Sequence, residues 1–267
     1  MVHIASGCAG LASVCVVGNR KGFGKERFEP HNILYTVVGA AMLWFGWLGF
    51  NGGSALSASD GRAGMACLVT HISAAMGGLS WMITDWIMVG KPSVLGMVNG
   101  IVSGLVCITP ASGFVDPTGG FWFGILSGPI CYFGSQLKHK AGFDDALDAF
   151  GIHAIGGIAG GILTAFFASA DVGGGRDGIL QGEGGGYTER ALLLGHQLYG
   201  IFVCAGWSFF LSLAILKIID LTMGLRISNE EEDEGLDSSM HGESIDVKTV
   251  SSADGQIEFE AVEKENI

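Results

Sequence analysis

Long apolar stretches separated by short polar connections make up most of the first 226 residues. Most of them approach the length of about 20 residues that a helix needs to cross a hydrocarbon core of about 30 Å. The last stretch is too long for an upright crossing, which predicts a tilted or protruding helix. We predict seven membrane-spanning helices, at Val2–Val17, Asn32–Phe50, Gly64–Val89, Ser93–Ile108, Phe121–Leu137, Ala149–Ala168 and Leu192–Leu225.

The composition agrees with this pattern. Of the 267 residues, 49% are hydrophobic and 15% are charged, which is too apolar for one soluble domain. Glycine is frequent, with 45 residues, and recurs at spacings that let neighbouring helices approach closely. We therefore expect an all-α membrane protein, a polytopic bundle of about seven spans.

Charge divides the chain into two parts. The net charge is −12, but residues 1–226 hold 12 Lys and Arg against 13 Asp and Glu, whereas residues 227–267 hold 2 against 13. We predict a transmembrane domain over 1–226 and an acidic tail over 227–267, whose distal part, from about Asp246, should be disordered. The connections on one side of the predicted spans carry eight basic residues, and those on the other side carry three. Because basic residues favour the cytoplasmic side, this places the N-terminus outside and the tail in the cytoplasm.

The stretch Phe143–Gly161 brings charged groups into an apolar, glycine-rich segment. His153 lies just inside the predicted sixth helix, and an ionisable group there is a candidate functional residue. The alternative is a histidine with an ordinary place in the core. Asp144, Asp145 and Asp148 precede this helix, where carboxylates cap free amides and complement the helix dipole.

A second histidine, His3, opens the first span as His153 opens the sixth, and small residues follow both. If the two rings face each other across a pore, one shared proton would fix complementary tautomers and create a site able to relay a proton. Two unrelated core histidines are the competing interpretation.

Aromatic residues gather near the outer end of the second span, at Trp44, Phe45, Trp47 and Phe50, and are followed by the small polar segment Asn51–Ser54. Rings beside a polar mouth can hold a small cation by cation–π attraction, worth about 0.5–2 kcal/mol. An aromatic belt at the membrane interface would explain the same residues.

The sequence lacks the motifs that several classes of function require. Catalytic strings such as GxSxG and HExxH, a phosphate-binding loop and a basic surface for nucleic acid are absent. The six cysteines have no ligand spacing and are expected to be small buried residues. We therefore predict neither an enzyme nor a metal or cofactor site, and no nucleic-acid partner.

Long ordered strings in the chain strongly resemble the ammonium transporter family, on its Amt/Mep side. The resemblance covers Val2 to about Glu243 and rests on HNILYTVVGAAMLWFGWLGFNGGSAL, KPSVLGMVNGIVSGLVCITPASGFV, DDALDAFGIHAIGGIAGGILT, GHQLYG and DLTMGLRISNEEEDEGLD. It implies a fold of eleven helices, with two inverted five-helix halves and a long oblique last helix, assembled as a homotrimer with one pore per subunit. The seven spans match the fifth to the eleventh helix.

The resemblance also implies roles for individual residues. His3 and His153 match the twin histidines of the pore, Phe50 matches one of two gating phenylalanines, Ser54 matches the hydroxyl of the outer ammonium site, and Trp47 matches a pore-lining tryptophan. The expected function is transport of ammonium or ammonia: NH4+ gives up its proton at the outer mouth, and NH3 passes the gate.

The remaining matches lie on the other side of the membrane. Asp145 matches a carboxylate near the inner end of the pore, for which we expect a structural role, as for Asp148. The tail resembles the family's cytoplasmic regulatory region, with a regulatory protein as a candidate partner. Ser239 lies near the position where plant relatives carry a phosphorylatable threonine, although an ordinary solvated serine is the alternative. The expected location is the plasma membrane.

Other interpretations stay open at this point. The four helices that the family places before the first span have no counterpart here, so we expect a truncated transporter that lacks a closed pore by itself. A seven-span ammonium sensor with an acidic tail also fits the pattern. Lys217 in the last span suggests a retinal protein, but its position near the cytoplasmic end favours snorkelling or pairing with Asp220.

Overall fold

A computed structural model of the chain describes residues 1–26, 28–181 and 186–243, and the backbone of 249–251 and 257–259. It divides into two compact units, Met1–Met223 and Gly224–Ile267, close to the predicted boundary at 226.

The described residues of the first unit are helical apart from their connections, and each predicted span has a helix in the structure. Three of these helices start earlier than predicted, at Arg62, Pro117 and Tyr187, because helix-forming residues precede their apolar stretches. The helices are α1 (Val2–Val17), α2 (Ile33–Gly53), α3 (Arg62–Val89), α4 (Val94–Ile108), α5 (Pro117–Ala141), a π-helix (Phe150–Ala154), α6 (Ile155–Phe167), the short α7 (Ala170–Gly173) and α8 (Tyr187–Thr222).

Length and composition support a membrane location. Among the described residues, four segments are both long and apolar enough to cross a bilayer: α2, α3, the π-helix together with α6, and α8. The helices α1 and α4 are apolar but shorter. The expected all-α membrane fold is confirmed.

The helices α3, α4 and α5 form the packed centre of the unit. A side chain at Gly77 would collide with the backbone of Gly100 and Gly104, so the α3 and α4 backbones touch at these glycines. Ser73 Oγ also donates a hydrogen bond to the Gly104 carbonyl, at 2.8 Å. Small residues therefore hold α3 and α4 together, as is common between membrane helices.

The helix α1 runs antiparallel to the π-helix and α6. Gly7 lies against Ala154, and a Cβ built on Gly10 would lie 3.4 Å from the Cβ of Ala149. On its other side α1 packs against α8, where Ser208 Oγ donates to the Ala5 carbonyl at 2.6 Å. Most of the α8 surface is exposed.

The second unit begins at Gly224 and contains α9 (Asn229–Glu234) and a π-helix, Asp237–His241. Ser228 and Glu231 cap α9 reciprocally, each side chain bonding the other residue's backbone amide. Two three-residue strands, β1 (Thr249–Ser251) and β2 (Ile257–Phe259), pair antiparallel. The rest of the segment predicted to be disordered, from about residue 246, lies outside the described residues.

Candidate functional site

The two histidines singled out from the sequence lie next to each other in the structure. His153 Nδ1 and His3 Nδ1 are 3.4 Å apart, which is within hydrogen-bonding distance. Gly157 allows this approach, because it packs directly against the backbone of α1 beside His3. His3 is 9% exposed, and its Nε2 is buried with no hydrogen-bond partner in the described part of the chain.

The π-helix positions His153 for this contact. Its five residues, Phe150–Ala154, interrupt the start of the sixth span, and α6 continues from Ile155. A π-turn changes the direction in which side chains leave the helix, and such turns are frequent at functional sites. The sequence contains no signal that predicted this turn.

Aromatic rings enclose His3 on the side of α2. The Trp47 ring stacks on the His3 ring, with 5.0 Å between centroids and an angle of 18°, and the Phe50 ring lies 6.0 Å away. Trp47 Nε1 donates to Thr109 Oγ1 at 2.9 Å, which fixes the plane of the indole. The indole therefore presents its face to His3, while Thr109, directly after α4, satisfies its polar edge.

These side chains border an apolar groove of about 540 Å³ between α1 and α2. Except for the imidazole of His3, its lining side chains are aromatic or aliphatic, or are glycines: Val2, His3, Gly39, Met42, Leu43, Gly46, Trp47 and Phe50. A groove of this kind favours a small neutral molecule over a hydrated ion.

Ser54 lies one turn after Phe50 and is exposed. Its hydroxyl donates to the Phe50 carbonyl at 2.7 Å, so the lone pairs of the oxygen stay available to accept a further hydrogen bond. Trp44, which was grouped with Trp47 in the sequence, instead packs against His71, with 5.1 Å between ring centroids.

The three aspartates before the π-helix have three different partners. Asp145 accepts from the amides of Ala149 and Phe150, at 3.0 and 2.8 Å, and so caps the helix start. Asp148 accepts from Lys138 Nζ at 2.6 Å instead of capping a helix amide.

Asp144 pairs with Arg20, which follows α1. The hydrogen bonds from the Arg20 side chain hold the pKa of the Asp144 carboxyl below its usual value. Asn19 adds two contacts to the same connection, because its side chain accepts from the Asp144 amide and donates to the Gly142 carbonyl, both at 3.1 Å.

Sequence reasoning missed Arg20, Lys138 and Thr109 as partners of the site. Arg20 and Thr109 lie 124 and 62 residues from their partners, and nothing in a single sequence links residues so far apart. Lys138 lies only 7 and 10 residues from Asp145 and Asp148, but these contacts depend on the non-helical path of the chain between them.

The pairing of Lys217 with Asp220 is confirmed, at 3.4 Å. Among the described residues, no cluster of His, Cys, Asp or Glu could hold a metal ion.

The comparison with protein families decides the classification. The model of the Ammonium Transporter Family matches residues 1–245. The chain belongs to the ammonium transporter family. Members of this family are transporters and not enzymes, as the sequence predicted.

Individual members of the family are similar over nearly the whole chain. An ammonium transporter of Bacillus subtilis is 45% identical over 245 residues, which are 91% of this chain and 58% of the relative. The crystal structure of Candida albicans Mep2 matches with 37% identity and a TM-score of 0.77, over 86% of this chain and 51% of Mep2. A structure described as a sensor Amt protein matches with 30% identity and a TM-score of 0.78, over 90% and 58%. The chain thus spans about half to three fifths of the length of these family members.

Proposed function

We propose that this chain forms part of a path that carries ammonium or ammonia across a membrane, with His3 and His153 lining the lumen. The observation that supports this best is the 3.4 Å separation of their Nδ1 atoms beside an apolar groove, in a member of a transporter family. Family membership supports the substrate class, and the groove supports passage of a small neutral molecule.

The histidine pair has a defined chemistry at this distance. One Nδ1 must donate and the other must accept, so two neutral rings hold complementary tautomers. The Nε2 atoms then differ, since the ring that accepts at Nδ1 carries its proton at Nε2 and the other ring has a free lone pair there. Ammonia both donates and accepts hydrogen bonds, and therefore fits a pair that offers one donor and one acceptor.

The outer end of the groove would receive the cation. Ser54 Oγ can accept a hydrogen bond from NH4+, and the face of Trp47 attracts positive charge. Moving a bare cation into an apolar groove is costly, so NH4+ gives up its proton before NH3 passes Phe50. The histidine pair would then accept this proton, directly or through water, and hold or relay it inside the path.

The test is transport by the protein expressed from its complete reading frame and reconstituted in vesicles. We expect His153→Ala to lower ammonium uptake or the selectivity for ammonium, and ammonium-evoked currents to change with it. His196→Ala, at an exposed histidine of α8, is the matched control. Unchanged flux and selectivity in His153→Ala would remove the proposed role of the pair.

We also propose a homotrimer in the plasma membrane, with the N-terminus outside and the tail in the cytoplasm. The distribution of basic residues supports this orientation, and the resemblance to the family supports the trimer. Cross-linking in intact membranes measures the assembly, and accessibility of a terminal tag measures the orientation. A monomer, or a tail accessible from outside, would overturn the respective proposal.

A sensor is the second candidate function, because the match to the sensor Amt protein extends over 90% of this chain. Ammonium binding without flux, together with binding of a cytoplasmic protein by the tail, would favour it.

Ser239 is a proposed regulatory phosphorylation site. Its hydroxyl lies 2.8 Å from the Gly235 carbonyl oxygen and 3.3 Å from that of Glu231. A phosphate of about two negative charges would end these contacts within an acidic segment. We expect Ser239→Asp to change the transport rate and Ser238→Asp to leave it unchanged; equal rates in wild type and Ser239→Asp would rule out this regulation.

A further inference from the structure

The connection between α5 and the π-helix, residues 142–148, is not helical although it runs beside α1. Its beginning contacts Asn19, just after α1, and Ala149 at its end faces Gly10. Gly10 is seven residues before Val17 and hence about 10 Å inside the end of α1. Non-helical backbone that packs beside a helix is stable only where other groups satisfy its polar atoms.

Lys138, in the last turn of α5, supplies two of these contacts. Its ammonium group donates to the Asp145 carbonyl at 3.0 Å and to Asp148 Oδ1 at 2.6 Å. The side chains of Lys138 and Asp148 are only 17% and 18% exposed. A charge-assisted contact of this kind is stronger than a neutral hydrogen bond, and its loss leaves a buried carboxylate unpaired.

The two groups that Lys138 binds set the start of the π-helix. Asp148 has a φ of 55°, a left-handed conformation that is uncommon for a residue with a side chain and costs energy unless its surroundings hold it. The Asp148 carbonyl accepts from the Ile152 amide at 2.8 Å, and Asp145 caps Ala149 and Phe150. One ammonium group thus restrains both residues that begin the helical turn of His153.

We propose that Lys138 is a positioning residue for His153: it fixes the strained connection so that the π-helix presents His153 to His3. Lys138 is absent from the groove lining and acts only through Asp145 and Asp148. The inference rests on the proposed role of the histidine pair in transport. The inference concerns a residue on α5, outside the segments that bear the two histidines. The effect of Lys138 on the distance between the histidines can be measured without a transport assay.

The experiment compares Lys138→Met with Lys138→Arg, which keeps a charged donor able to reach two acceptors. Lys140→Met, an exposed basic residue of the same helix end, is the control. In ¹⁵N-histidine-labelled protein in lipid vesicles, the coupling between the two Nδ1 atoms reports their shared hydrogen bond. We expect Lys138→Met to lose this coupling and Lys138→Arg to keep it.

Transport gives the second measurement. For Lys138→Met at normal abundance in the membrane, we expect a maximal uptake rate lower by roughly 10- to 100-fold, with an unchanged KM because the outer mouth is intact. Lys138→Arg should restore most of the rate. The proposal is overturned if Lys138→Met keeps the coupling or transports at the wild-type rate. It is also overturned if this variant loses abundance in the membrane while its KM rises in parallel. If His153→Ala transports normally, the proposed function fails instead, and the coupling alone decides the positioning role.

Discussion

Arg20 and Asp144, 124 residues apart in the sequence, form a bidentate ion pair with Nε–Oδ2 and Nη2–Oδ1 distances of 2.7 and 2.8 Å. Arg20 follows the helix of His3, and Asp144 precedes the π-helix of His153. The pair therefore ties the C-terminal end of α1 to the connection that leads into the π-helix.

Removal of one partner should destabilise the protein. The Asp144 side chain is 3% exposed and that of Arg20 is 40% exposed, so we expect Arg20→Ala to cost about 1–2 kcal/mol. The measurement is thermal unfolding in detergent. The exchanged double variant Arg20→Asp/Asp144→Arg should recover part of the loss, and purely additive losses would argue against a direct pair.

The same pair predicts how stability depends on pH. The pKa of Asp144 is lower in the folded protein than in the unfolded chain, so its contribution is fully present above the unfolded pKa of about 3.9. The contribution is lost as the pH falls through the lower, folded pKa. The difference in melting temperature between wild type and Asp144→Asn, measured from neutral pH to about pH 3, should shrink as the pH falls below the unfolded pKa. A constant difference would contradict this prediction.

Thr109 is predicted to control the orientation of Trp47. Thr109→Val keeps the shape but leaves Trp47 Nε1 without its acceptor, which costs about 1–3 kcal/mol for a buried donor. We expect a red-shifted or quenched tryptophan emission and slower ammonium uptake, because the indole loses its fixed stacking on His3.

Thr109→Ser, which retains the hydroxyl, is the control for that change. It should behave like wild type in both measurements. Slow uptake in Thr109→Ser together with normal uptake in Thr109→Val would exclude the hydrogen bond as the cause.

Much of the fold could be predicted from hydrophobic length alone. The start of α5 was predicted too late, at Phe121, although Asp116 accepts from the Gly119 amide and Pro117 suits a first helical position. These two residues are a local signal that could have located the helix start.

The site was only partly predictable for a different reason. His3 and His153 were recognisable because ionisable residues are rare in apolar spans, and the aromatic cluster beside them was visible as composition. The contact of Arg20 with Asp144 depends on which helices pack together, and the π-turn and the contacts of Lys138 depend on the non-helical path of the connection after α5. A single sequence does not encode that information in any local pattern.

The length of α8 has a consequence for how the protein meets its membrane. A helix of 36 residues is about 54 Å long, well beyond a hydrocarbon core of about 30 Å. Such a helix tilts or projects beyond the bilayer, and both adjustments depend on the thickness of the bilayer. Since Ser208 and Cys204 of α8 donate to the Ala5 and Met1 carbonyls of the chain's first residues, a change in lipid chain length acts on the helix that carries His3.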